Sequence, residues 1–202
     1  MLKTDFDGES LTHRLLWRIV KEQAKEAQER AEGWLYPSIV ARVFGYHTVE
    51  AHLNYLGERL DPEIWQDERN YFRNEPYRGA LGKMRKVMDL VGLPWEADSR
   101  PLKTVLELKD IRDLIAHGKP ERLQSTVIHP MDTNAPDPPV TLRELAASKE
   151  TLAVVIADVE EFLNAIQTRA KLLLAADDPW FGDEALEGPA WHMVSSTTLH
   201  RE

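Results

Sequence analysis

The stretch Lys109-Asp110-Ile111-Arg112-Asp113-Leu114-Ile115-Ala116-His117-Gly118-Lys119-Pro120 reads as the closing turns of an amphipathic helix followed by its stop signal. Ile111, Leu114 and Ile115 supply an apolar stripe at helical spacing, and Gly118 with Pro120 ends the run. Upstream, Ser99 and Pro101 start the same helix, and Leu102, Val105, Leu106 and Leu108 continue the stripe. Arg112 and His117 therefore sit where a buried rod runs out, and neither is needed for its core.

The same period recurs on both sides. A first helix is expected from about Ser10 to Glu32, with apolar positions from Leu11 to Ala31, closed by Gly33. A second extends from about Ser38 to Arg59 with Val49, Leu53, Leu56 and Leu60 buried, and is expected to bend at Gly45. Asp61-Pro62 caps a short helix to about residue 72, and Pro76 opens another carrying Met84, Val87, Met88 and Val91. Thr141 and Glu144 form a capping box, and a final helix with Leu152, Val159, Phe162, Leu163 and Ile166 runs to about Ala176 as the longest element and expected spine. Scarcely any strand signal is present. The expected fold is an all-α antiparallel bundle of five to six helices over residues 1–176, with an irregular tail over 177–202 partly docked through Trp180, Phe181 and Trp191.

Bulk properties narrow the function. Without a single cysteine, disulfides, thiolate catalysis and cysteine-ligated zinc are excluded. No run approaches the roughly 20 apolar residues of a membrane span, so no membrane partner and a cytoplasmic location are expected. A net charge of −9 argues against unselective binding of long duplexes, yet Arg78, Lys83, Arg85 and Lys86 follow one another without an acid. Residues 100–122 also carry a local excess of base, which fits a localised anion site with Lys109, Lys119, Arg78 and Lys83 as its candidate cations.

Residues five apart on an ideal helix project about 140° from each other, so Arg112 and His117 cannot converge on one small target. Either the last turn deforms or a second copy of the chain completes the set. Asp113 and His117, four apart, share a face, where a carboxylate can hold the imidazole in one tautomer. On the second helix His47, Glu50 and Asn54 share a face away from the apolar stripe. His47, Glu50 and His52 do not have the spacing of a helical metal site.

The Arg112-Asp113-(three residues)-His117 stretch resembles the R-x4-6-H signature of the HEPN superfamily, small all-helical proteins that include many metal-independent RNA endonucleases. Two other windows match the bare spacing, Arg42 to His47 and Arg122 to His129. The first has Val43 after the arginine and Gly45 inside the interval, and the second lies in a Pro-rich loop. Only Arg112 to His117 combines a polar follower, an apolar helix and a helix-ending glycine.

The resemblance implies cleavage of RNA by internal attack of the 2′-hydroxyl, leaving a 2′,3′-cyclic phosphate and a 5′-hydroxyl, with no metal or other cofactor. It implies Arg112, Asp113 and His117 as the catalytic set, Glu50 and Asn54 as accessory residues, and an obligate homodimer with a composite site. A role as a toxin or in defence against phage, with an antitoxin protein as partner, belongs to the same expectation. Two plainer readings stand beside it. One is a non-catalytic HEPN-like partner in a toxin–antitoxin or nucleotidyltransferase pair. In the other, His117 merely favours a helix C-terminus and Arg112 pairs with Asp110 or Asp113 on the surface. The loop from Lys119 to Val140, with four prolines between Pro130 and Pro139, is either a flap over the site or an indifferent excursion.

Overall fold

The structure is a computed structural model that describes residues 2–128, 130, 134, 137, 139–174, 181, 182 and 184–199. His129, Trp180, Pro136, Pro138, the expected domain boundary at 176/177 and the last three residues lie outside the described residues. The elements run β1 (Leu2–Ser10), α1 (Thr12–Glu29), α2 (Leu35–Leu60), α3 (Pro62–Gln66), α4 (Glu68–Tyr71), α5 (Gly79–Leu90), α6 (Leu102–Ala116), α7 (Leu142–Ala146), α8 (Leu152–Leu173) and β2 (Trp191–Leu199). Helices dominate, and none among the described residues is long and apolar enough to cross a membrane.

The spine is α2, not the last helix. Its 26 residues exceed the 22 of α8, and α1, α3, α5, α6 and α8 all pack against it. Gly45 does not break it, because Leu108 of α6 packs over that glycine and burial offsets the roughly 1 kcal/mol that glycine costs inside a helix. The short α1–α2 connection brings Ala24, Ala27 and Ala41 together, small side chains that let two backbones approach. At the far end of α2 the absent side chain of Gly57 makes room for Trp65, whose indole a Cβ would overlap. That wedge accompanies a break at Asp67, so the single helix expected over 62–72 is two short ones, α3 and α4. Asp61 caps α3 by accepting from the Ile64 amide at 3.4 Å, and Thr141 and Glu144 complete the expected capping box on α7.

The expectation of an all-α chain with an irregular tail needs correction. The two ends of the chain pair as a two-stranded antiparallel sheet, β1 against β2, with Thr4 opposite Thr197 and Ser10 opposite Trp191. One face carries Lys3, Asp5, Asp7 and Glu9, and the other carries Phe6, Trp191 and Met193, all three exposed. Glu9 anchors the ribbon to the bundle, since Arg59 of α2 donates to both its oxygens at 2.8 and 2.7 Å.

The segment before β2 is held by a buried arginine. Arg14 of α1 donates to the carbonyls of Ala185, Pro189 and Glu184 at 3.4, 3.3 and 3.2 Å, and Gln167 of α8 reaches Gly182 O at 2.8 Å. Next to Arg14 lie His13 and His52, both buried, with ring centroids 4.8 Å apart. Burial, reinforced by Arg14, lowers His13 to about 4 and drives His52 well below the usual histidine range. Both are neutral in the folded protein, while in the unfolded chain they titrate near 6.5.

The stability that these histidines lend is complete above pH of about 6.5 and is lost on acidification. Between about 6.5 and about 4, His13 alone removes on the order of 3 kcal/mol, and His52 extends the loss to lower pH. Thermal unfolding followed by circular dichroism at pH 7 and 4.5 checks this. The midpoint falls by several degrees for the wild type and by less for His52→Phe, and equal falls in both contradict it.

Candidate functional site

The end of α6 crosses the middle of α2, and there the two helices exchange charged side chains. Arg112 Nη2 donates to Glu50 Oε1 at 3.0 Å and Nη1 to Asp113 Oδ1 at 2.7 Å. The second oxygen of Glu50 meets His47 Nδ1 at 3.0 Å, and the second of Asp113 accepts from Lys109 Nζ at 2.8 Å. The result is an alternating chain, His47, Glu50, Arg112, Asp113 and Lys109, fixed by helical spacing on both elements. Each side chain in it is partly exposed.

Tyr46 forms its floor. The ring is fully buried, with the Arg112 guanidinium carbon 5.0 Å from its centroid. Burial first, then the Glu50 carboxylate, raises the phenol far above its usual value, so the ring is a neutral platform under a cation. Lys109, bonded to Asp113, holds that carboxyl below the ordinary range, and Asp113 in turn raises Lys109. Arg112 Nε is buried and makes no hydrogen bond among the described residues. With its guanidinium over the tyrosine ring and two prongs on carboxylates, Arg112 has little rotational freedom left.

His117 is the C-cap of α6. Its backbone amide donates to Asp113 O at 2.9 Å and its side chain is exposed. The expectation that Asp113 would orient this imidazole is not met by a hydrogen bond among the described residues. Asp113 is spent on Lys109 and Arg112 instead, because a cation one helical turn back and its own neighbour compete for the same two oxygens. Gly118 ends the helix by close approach and not by a left-handed backbone: a Cβ there would stand 2.5 Å from Leu114 O and 2.6 Å from Arg143 Nη2. Arg143 also takes the carbonyl of Lys119 at 2.7 Å, which ties the start of the long loop to α7 while the Lys119 side chain stays exposed.

The accessory pair lies beside this chain. Glu50 and Asn54 line a cavity of about 540 Å3 together with Lys83 and Glu68, and Lys83 donates to Asn54 Oδ1 at 3.2 Å. Arg78 and Lys109 line an adjoining depression of about 520 Å3. Arg112, Asp113, Glu50, Asn54, Lys109, Lys83 and Arg78 thus belong to one continuous surface, with His117 at its helical margin. Arg42, from the competing window, is elsewhere: it is buried and bonded to Ser38, the Ser148 carbonyl and Thr151. Sequence reasoning missed Tyr46, and weighed His47 as a metal ligand, as a flank and as the end of the Arg42 window, but not as a partner of Glu50 in this chain of charges. Their positions four and three residues before Glu50 were the available signal.

His52 faces away from His47, into the His13 contact, and among the described residues no group of three or more His, Asp or Glu could hold a metal ion. The end of α6 is also only half-covered: Ile111, Leu114 and Ile115 are partly exposed, and Leu142 and Leu145 of nearby α7 more so. Comparison of this chain with protein-family models, with curated proteins and with solved structures finds no match.

Proposed function

We propose that the chain is a metal-independent RNA endonuclease of the HEPN kind, working as a homodimer in which two α6 ends build one cleft. The observation that carries this reading is the seating of Arg112. A guanidinium from α6 is fixed over Tyr46 by Glu50 and Asp113, five residues ahead of an exposed histidine at the helix end. Such a group presents fixed positive charge to a phosphate, and an exposed imidazole is a group that can both take and give a proton.

In the proposed reaction the RNA 2′-oxygen bonds to the adjacent phosphorus and loses its proton to one His117. The bond from phosphorus to the 5′-oxygen breaks, and that oxygen takes a proton from the His117 of the second copy. A 2′,3′-cyclic phosphate and a 5′-hydroxyl result, and Arg112 offsets the charge that builds on the phosphoryl oxygens. The roughly 140° between Arg112 and His117 around the helix is the reason for invoking two copies. The half-covered apolar end of α6 and the exposed Leu142 and Leu145 support a partner at this face.

One observation favours the second reading. Arg112 already has two carboxylate partners, which suits a structural tie in a non-catalytic partner of a toxin–antitoxin or nucleotidyltransferase pair. Incubation of purified protein with mixed RNA in EDTA separates the two. The ribonuclease reading expects cleavage by wild type, none by His117→Ala or Arg112→Ala, and a dimer by light scattering. Equal trace cleavage in all three, or an active monomer, overturns it.

A further inference from the structure

The cavity between α2, α4 and the start of α5 has a chemistry of its own. Its wall carries Glu50, Asn54, Glu68, Phe72 and Lys83, and its volume of about 540 Å3 is ample for one nucleobase. Phe72, buried, gives it an apolar floor. Lys83 Nζ lies 2.6 Å from Glu68 Oε2 and 3.2 Å from Asn54 Oδ1, so a two-oxygen acceptor and an ammonium donor stand side by side. Glu50 belongs both to this wall and to the Arg112 ion pair, so the cavity is one side chain away from the guanidinium. Across Gly79 and Ala80 it continues into the depression lined by Arg78, Arg85 and Lys109.

We infer that this cavity is a base-recognition pocket and that the base it takes is guanine, an inference that rests on the ribonuclease reading for its place in a reaction. Guanine alone among the four RNA bases offers two adjacent donors, N1–H and the 2-amino group, beside an acceptor, O6. An ionised carboxylate accepts only, through two oxygens, and an ammonium donates only. Glu68 meets the two donors in parallel and Lys83 faces O6. The Asn54 amide nitrogen, whose oxygen is taken by Lys83, adds a donor on the same side. Adenine, cytosine and uracil each bring a single donor position to the carboxylate and leave one of its oxygens against an acceptor. The Glu68–Lys83 pair is partly exposed, so opening it to admit a base costs little. The phosphate attached to a base seated here is within the reach of Arg78, Arg85 and Lys109 in the adjoining depression.

Two measurements on the full-length protein, made in parallel, test the pocket apart from the nuclease. One maps cut sites across a randomised RNA, and the other titrates GMP, AMP, CMP and UMP by isothermal calorimetry. The pocket requires cuts enriched about tenfold or more next to guanine and GMP bound about tenfold or more tighter than the other three, as one bidentate contact allows. Glu68→Gln and Lys83→Gln, with thermal midpoints checked, reduce that ratio toward unity. Cleavage without base preference, with the four monophosphates bound alike, overturns the pocket and leaves the nuclease standing. Preferential binding of GMP by a protein that cuts no RNA upholds the pocket and overturns the nuclease. A preference for another base, or neither cleavage nor GMP preference, overturns the guanine assignment.

Discussion

On the proposed ribonuclease reading, His117→Ala is expected to lower the rate of RNA cleavage by roughly a thousandfold, the scale of a lost general acid or base. Its fold is untouched, because the imidazole is exposed and only the backbone amide of this residue bonds to the helix. Arg112→Ala is expected to lower the rate by on the order of a hundredfold through loss of fixed positive charge. Arg112→Lys does not restore it. An ammonium is a point charge that cannot reach Glu50 and Asp113 with two separate prongs while staying over the Tyr46 ring. Single-turnover rates on an end-labelled RNA check all three, and rates within threefold of wild type contradict the assignment of these residues.

Arg42→Ala has the largest expected effect on stability, about 3–5 kcal/mol, or a fall of about 10 °C in the thermal midpoint. Arg42 is 1% exposed and ties α2 to the entry of α8, donating to Ser38 Oγ, to the carbonyl of Ser148 and to Thr151 Oγ1. Ser38 in turn donates to Ala147 O at 2.5 Å. Burial lowers this guanidinium to about 10, and Glu150 opposes the shift, so it stays charged at neutral pH. Its removal takes a donor from the buried Ser38 hydroxyl and from the part-buried oxygens of Ser148 and Thr151, and it leaves a cavity where the buried side chain was; an unsatisfied buried group alone costs about 1–3 kcal/mol. The comparison with Arg112 is instructive, since both arginines begin an R-x4-H window. The expected outcome for Arg42→Ala is a loss of stability, with each folded molecule keeping whatever cleavage rate the wild type has. An unchanged midpoint with cleavage abolished would move the chemistry to Arg42 and His47.

Residues close in sequence made most of the bundle readable. The apolar stripe of α6, the Asp61-Pro62 cap and the Thr141–Glu144 box are local patterns that tertiary packing preserves. Periodicity placed Glu50 and Arg112 on two separate helices and the family resemblance singled them out there, and the structure joins them at 3.0 Å. What escaped depends on distant partners. Nothing within residues 2–10 names residues 191–199 as their mate, and register between chain ends is invisible locally. A signal was present all the same, in the alternation of Lys3, Asp5, Asp7 and Glu9 and in the Val194-Ser195-Ser196-Thr197-Thr198 run. Arg14 was hidden for a similar reason: it looks like one more surface cation until the tail it holds is in place. The uninterrupted α2 shows packing by Leu108 overriding the low helix propensity of Gly45.

The most direct test of the account uses an RNA with one 2′-deoxy nucleotide on the 5′ side of a mapped cut, compared with its all-ribose twin in EDTA. Internal attack predicts that the cut at that phosphate disappears while every other site is cut as before, each leaving a 2′,3′-cyclic phosphate. Cutting that persists at the deoxy position, or cutting of the all-ribose RNA that ceases in EDTA, contradicts it.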